Sequence, residues 1–108
     1  MAFHDPKIRD VKVMQPGVLT RTFWGEKLLF SLLELDPRAE ILAHSHPNEQ
    51  GTYVVSGGLE ATVGGQTHWV NPGELFIVPG GVEHSLRVGK DPARVMGVFT
   101  PLREDLKY

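Results

Sequence analysis

The chain has 108 residues, 41% of them hydrophobic, which is enough apolar material for one core and too little length for two domains. Its 11 basic and 13 acidic residues leave a formal charge of −2 with no Lys/Arg cluster, so neither nucleic acid nor an anionic membrane is the expected partner. Cysteine is absent, which excludes disulfides, thiolate metal sites and a cysteine nucleophile. No basic segment precedes an apolar run near Met1, and no stretch approaches the roughly 18 apolar residues that span a bilayer, so a cytoplasmic protein is expected.

The elements read as short strands punctuated by 12 Gly and 8 Pro spread along the chain. Residues 18–24 predict a strand that stops at Gly25-Glu26. Residues 28–35 are almost wholly apolar; their brevity and the following Asp36-Pro37 favour a strand over a buried helix. A strand over 40–46 runs into a pair of histidines. Residues 52–56 predict a strand ending at Gly57-Gly58. Residues 59–63 and 67–70 flank Gly64-Gly65, a strong hairpin signal. Residues 75–78 lie between the turns Asn71-Pro72-Gly73 and Pro79-Gly80-Gly81, and strands over 84–88 and 94–99 complete the set. Residues 101–108 predict one terminal helical turn. So many short strands in about 100 residues call for an all-β barrel or sandwich, which removes or protects sheet edges.

His44 and His46 stand two apart, and on a strand alternate side chains share a face, so both imidazoles can aim at one point. Metals need such convergence, with nitrogen donors at about 2.0–2.2 Å. The first stretch reads His44-Ser-His46-Pro-Asn-Glu-Gln50, followed by six residues and then Gly57. The second reads Gly73, five residues, Pro79, one residue, Gly81, two residues, His84. These two stretches, 44–57 and 73–84, resemble the two motifs of the cupin superfamily. The resemblance implies one domain over 1–108: a single cupin barrel, also described as a double-stranded β-helix or jelly roll. It further implies that His44, His46, Gln50 and His84 hold one divalent metal ion (Zn, Ni, Mn, Fe or Cu, with zinc or nickel favoured).

Two positions depart from the family pattern. Val88 replaces the last Asn of the second motif. Gln50 stands where most cupins carry Glu, and its amide oxygen is a neutral donor. Three imidazoles and an amide leave the ion's charge uncompensated, which makes the site a strong Lewis acid and favours substrates with negative charge. His4 and His68 lie outside both motifs and are expected to be structural or solvent-facing.

The end of the chain, Met96-Gly97-Val98-Phe99-Thr100-Pro101-Leu102-Arg103-Glu104-Asp105, resembles that of the pectin-degradation cupins, which ketonise unsaturated uronates. This resemblance implies that Phe99 packs beside the metal pocket and that Arg103 binds a substrate carboxylate through its fork of donors. The acid/base Asp of that group aligns with Gly97, which also widens the pocket. Glu34 is a candidate replacement if it faces inward.

Three functions stay open at this level. The first is Lewis-acid isomerisation, ketonisation or cyclisation of a small carboxylate or sugar acid. The second is oxygenation of an enol by a cupin dioxygenase, and the third is binding of a metal or small ligand without turnover. Small single-domain cupins usually pair, so a homodimer is expected, with residues 8–24 as the segment exchanged between protomers and Phe23 and Trp24 exposed.

Overall fold

The computed structural model describes residues 2–108. Within these, ten strands follow in order: β1 (Lys12–Gln15), β2 (Val18–Trp24), β3 (Leu29–Leu35), β4 (Glu40–His44), β5 (Glu49–Ser56), β6 (Leu59–Val63), β7 (Gln66–Val70), β8 (Leu75–Val78), β9 (His84–Val88) and β10 (Ala93–Thr100). They form a six-stranded antiparallel sheet ordered β1-β2-β3-β10-β5-β8 and a four-stranded one ordered β4-β9-β6-β7. This is the all-β jelly roll that the sequence reading expected; its two sheets face each other without closing into one hydrogen-bonded barrel.

Alternation along the strands explains where the core ends and the site begins. On β10 the inward positions are Ala93, Val95, Gly97 and Phe99; on β5 they are Val54, Thr52 and Gln50; on β3 they are Leu35, Leu33, Ser31 and Leu29. Val18, Leu35, Val54, Leu59, Val88 and Val95 fill one end of the sandwich. Truncating one of the fully buried leucines among them to Ala removes about 2–5 kcal/mol of stability. At the other end Leu29, Phe99 and Leu106 form a second, smaller cluster. Between the two clusters the inward side chains are small and polar, and that interval is where a cavity opens.

Four features differ from the sequence reading. The strand expected over 40–46 stops at His44, because the chain turns through Ser45 to Asn48. The strand expected from residue 52 begins at Glu49, which brings Gln50 into the sheet. A further strand, β1, precedes the first expected one; every residue in it is exposed, so no apolar alternation marks it. The terminal helical turn is a 3-10 turn over Glu104–Leu106. Strands β1 and β2 add to the sheet of their own chain, β2 pairing with β3 from Val18↔Leu35 to Trp24↔Leu29. Gly57 allows the close crossing before β10: its φ is +80°, and a Cβ there would collide with the Pro92 carbonyl oxygen.

Candidate metal centre

The two sequence motifs meet through backbone contacts. The Gly81 N–H donates to the His46 carbonyl oxygen at 2.8 Å, and a Cβ on Gly80 would collide with the carbonyl oxygen of Pro47. The glycine turn before β9 therefore lies directly on the turn after β4. His44, last in β4, pairs with His84, first in β9, beyond a register shift that follows Ile41. His46 arrives from the turn, not from the strand as the two-residue spacing suggested. The donor nitrogens of His44, His46 and His84 lie within 4.8 Å of one another, so these three residues can hold a metal ion. Gln50 reaches them from the opposite sheet.

Hydrogen bonds fix which nitrogen of each ring faces the centre. Nδ1–H of His44 donates to the Leu42 carbonyl oxygen at 2.9 Å, that of His84 to Val82 at 2.9 Å, and that of His46 to Asn48 at 3.1 Å. Each Nε2 is thereby left with its lone pair, the tautomer a metal ligand requires. The Gln50 amide is oriented in the same way: its Nε2 donates to Thr52 Oγ1 at 3.0 Å, which turns Oε1 to within 3.0 Å of His46 Nε2. Two acceptors therefore face each other. His84 Nε2 is buried and has no hydrogen-bond partner among the described residues.

Either a proton or a metal cation would satisfy these lone pairs. Burial, then the Arg103 guanidinium, holds the His46 pKa below the ordinary 6.5, although its bonds to Gln50 and Asn48 pull the other way. Burial is also the main cause of the lowered pKa of His84. Protonation is thus disfavoured at both rings, and a divalent cation fits the donor set better.

The cavity beside these donors has a volume of about 70 Å³ and includes Gln50, Thr52, Ser31, Gly97, Phe99 and Arg103 in its wall. Phe99 is 6% exposed and meets the His46 ring edge-on, with centroids 5.6 Å apart, so it belongs to the small cluster and to the pocket wall alike. The Arg103 guanidinium sits 5.2 Å from the Phe99 ring centroid. Its Nη2 and Nε are engaged by the Asp105 carboxylate at 2.7 and 3.3 Å. Arg103 therefore brings positive charge to the pocket, while part of its donor fork is already occupied.

Glu34 does not replace an acid/base carboxylate. It lies on the outward face of β3, opposite to Ser31 and Leu33, and pairs with Arg21 at 3.2 Å. Among the described residues no carboxylate lines the cavity. His4 and His68 are exposed and take no part.

Two contributors were not legible as site residues. Thr52 orients Gln50; its place two residues along the same strand was the available signal. Asn48 accepts from His46 through its backbone and donates through its side chain to the Pro101 carbonyl oxygen, tying the segment that carries Arg103 to a histidine of the centre. No spacing rule marks it.

A two-sheet jelly roll with three histidines converging at one end is the architecture of a cupin, and the comparisons agree. Residues 31–99 match the Cupin domain family. The chain is 30% identical over 109 residues to the polyketide synthase CurC of Streptomyces cyaneus, covering 90% of this chain and 71% of that protein. It belongs to the cupin family. Among solved structures, KdgF from a Halomonas species superposes with a TM-score of 0.93 at 24% identity, covering 98% of each chain. An RmlC-like cupin from Shewanella frigidimarina gives 0.92 at 24% identity over 97% of this chain and 95% of that one. At such identities these two likenesses concern the fold.

Proposed function

We propose that this protein is a metal-dependent cupin that acts on a small carboxylate substrate by Lewis-acid catalysis, with His44, His46, Gln50 and His84 as the ligands of one divalent ion. The observation that carries the metal reading is the pair of facing acceptors, His46 Nε2 and Gln50 Oε1, beside the partnerless His84 Nε2. An ion held there supplies a Lewis acid that polarises a ligand oxygen and stabilises enolate charge. The chain's own residues do the rest. Backbone carbonyls hold the imidazoles in one tautomer, and Thr52 holds the Gln50 oxygen inward. Phe99 and Leu106 shield the donors from water, and Arg103 adds a positive field that favours an anionic ligand. With no carboxylate in the cavity, the side chains there that can exchange a proton are imidazoles and hydroxyls.

That inventory suits isomerisation, ketonisation or cyclisation through an enolate. Met14, Leu33, Ile41, Phe76 and Leu86 make much of the cavity wall apolar. That lining, with the likeness to a polyketide synthase, favours an enolisable substrate with an apolar body over a polyhydroxylated sugar acid. The test is exchange of the α-proton of enolisable carboxylates in D₂O, followed by NMR with zinc- or nickel-loaded protein. Exchange that disappears in His84→Ala supports the reading. A fully loaded protein that exchanges nothing, and consumes oxygen with an enol instead, would replace it with the dioxygenase reading.

A further inference from the structure

Gly97 is the inward position of β10 that carries no side chain, and its two cross-strand neighbours are both hydroxyl residues. Ser31 on β3 and Thr52 on β5 pair with it directly, line the cavity, and are 2% and 4% exposed. A proton count shows what this bay offers. Ser31 Oγ and Thr20 Oγ1 are 2.8 Å apart and use one of their two protons between them, so one remains to be donated elsewhere. Thr52 Oγ1 accepts from Gln50, and its own proton has no acceptor among the described residues. One proton of the Ser31–Thr20 pair and the proton of Thr52 are without an acceptor, no carboxylate lines the cavity among the described residues, and the Arg103 guanidinium, paired with Asp105, stands in its wall. Such a place takes a negatively charged oxygen group.

The spacing of the strands suits a group with two oxygens. Strands β3 and β5 flank β10, so their backbones stand about 9.5 Å apart. A single oxygen hydrogen-bonded to both hydroxyls requires them within about 5.6 Å of each other, whereas a carboxylate with one oxygen on each bridges close to 8 Å. We propose that the bay over Gly97 is the seat of the ligand's carboxylate, one oxygen received by Ser31 and the other by Thr52. This rests on the carboxylate-substrate reading above and deepens it. Arg103, whose Nε and Nη2 are engaged by Asp105, acts on the seat through its field. The absence of a side chain at residue 97 becomes a specificity determinant: the space belongs to the substrate.

Gly97→Ala is the direct probe. A Cβ there would approach no atom closer than 3.5 Å, an ordinary contact with the Phe99 ring, so the variant folds and keeps its zinc while the bay is filled. Binding of fluoroacetate, read by fluorine NMR, is compared in zinc-loaded and metal-free protein. The expected result is binding by the native chain in both forms, weakened about tenfold or more by Gly97→Ala and about three- to tenfold by Ser31→Ala. Native-like binding in both variants with loss in Arg103→Met overturns the proposal in favour of an Arg103 seat. Native-like binding in both variants with loss on zinc removal overturns it in favour of the metal alone. Fluoroacetate binding without any zinc affinity would refute the metal reading and leave the seat standing. No fluoroacetate binding by the native protein in either form overturns the seat and the carboxylate reading together.

Discussion

His46 Nε2 and Gln50 Oε1 face each other at 3.0 Å, and in the tautomer that the Asn48 carbonyl sets neither atom carries a proton. Each is fixed from behind, the imidazole by the Asn48 carbonyl and the amide by the Thr52 hydroxyl. A neutral protein tolerates two opposed lone pairs poorly, and a cation placed between them turns the opposition into ligation.

Changing the amide should separate affinity from Lewis acidity. Gln50→Glu is expected to tighten divalent metal binding about tenfold, because a carboxylate adds charge to the donor set. It should also slow proton exchange on an enolisable substrate. Calorimetric titration with nickel and the NMR exchange assay check the two halves. Weaker metal binding in Gln50→Glu would contradict Gln50 as a ligand.

The Thr52 hydroxyl acts on the centre through Gln50. Thr52→Val leaves the Gln50 amide free to rotate and should weaken nickel affinity about three- to tenfold, while Thr52→Ser keeps the acceptor and should stay near native. The d–d spectrum of the cobalt-substituted protein reports the same change independently of affinity. Equal spectra for all three proteins would mean that Thr52 has no hold on the donor set.

The lowered pKa values of His46 and His84 carry a sign. In the metal-free protein both rings stay neutral to a lower pH than the unfolded chain's imidazoles, whose value is 6.5. Below that value the unfolded chain binds more protons than the folded one, so stability falls with acidification through that window and is flat above it. Urea midpoints of the metal-free protein should therefore be constant from pH 8 to about 7 and decline toward about pH 5. A midpoint that rises on acidification would contradict the burial of these two rings.

A homodimer is the expected state, and the outward face of the six-stranded sheet suits it. Leu75 and Ile77 on β8 are each 60% exposed, Val55 on β5 is 50% exposed, and Tyr53 on β5 lies opposite Leu75 across the paired strands. Contiguous apolar surface of this kind is uncommon on monomers. Light scattering should give twice the 12.0 kDa chain mass, and Leu75→Lys with Ile77→Lys should return it to one chain. A native 12 kDa particle at micromolar concentration would contradict the expectation.

Much of the site was legible because its chemistry requires unusual residues at fixed spacing. His44, His46 and His84 are brought together as the two motifs implied, and the glycine turns that join them are visible as glycines. The strands with apolar alternation, such as β2 and β10, were readable for the same reason. Strand β1 was not, because all its side chains are exposed and pairing with β2 alone defines it. The facing of Glu34 was not legible either: residues 28–35 are apolar on both faces apart from Ser31 and Glu34, so period two left no contrast to read. Thr52 and Asn48 escaped because their roles depend on a hydrogen bond to a neighbour and not on a pattern of their own.

The central claim is a four-donor metal centre, and elemental analysis of untagged protein, purified without chelators, tests it most directly. The account predicts close to one equivalent of a divalent metal per chain, lost in His84→Ala. A metal-free protein that also fails to take up zinc, nickel, manganese or iron on titration would contradict it.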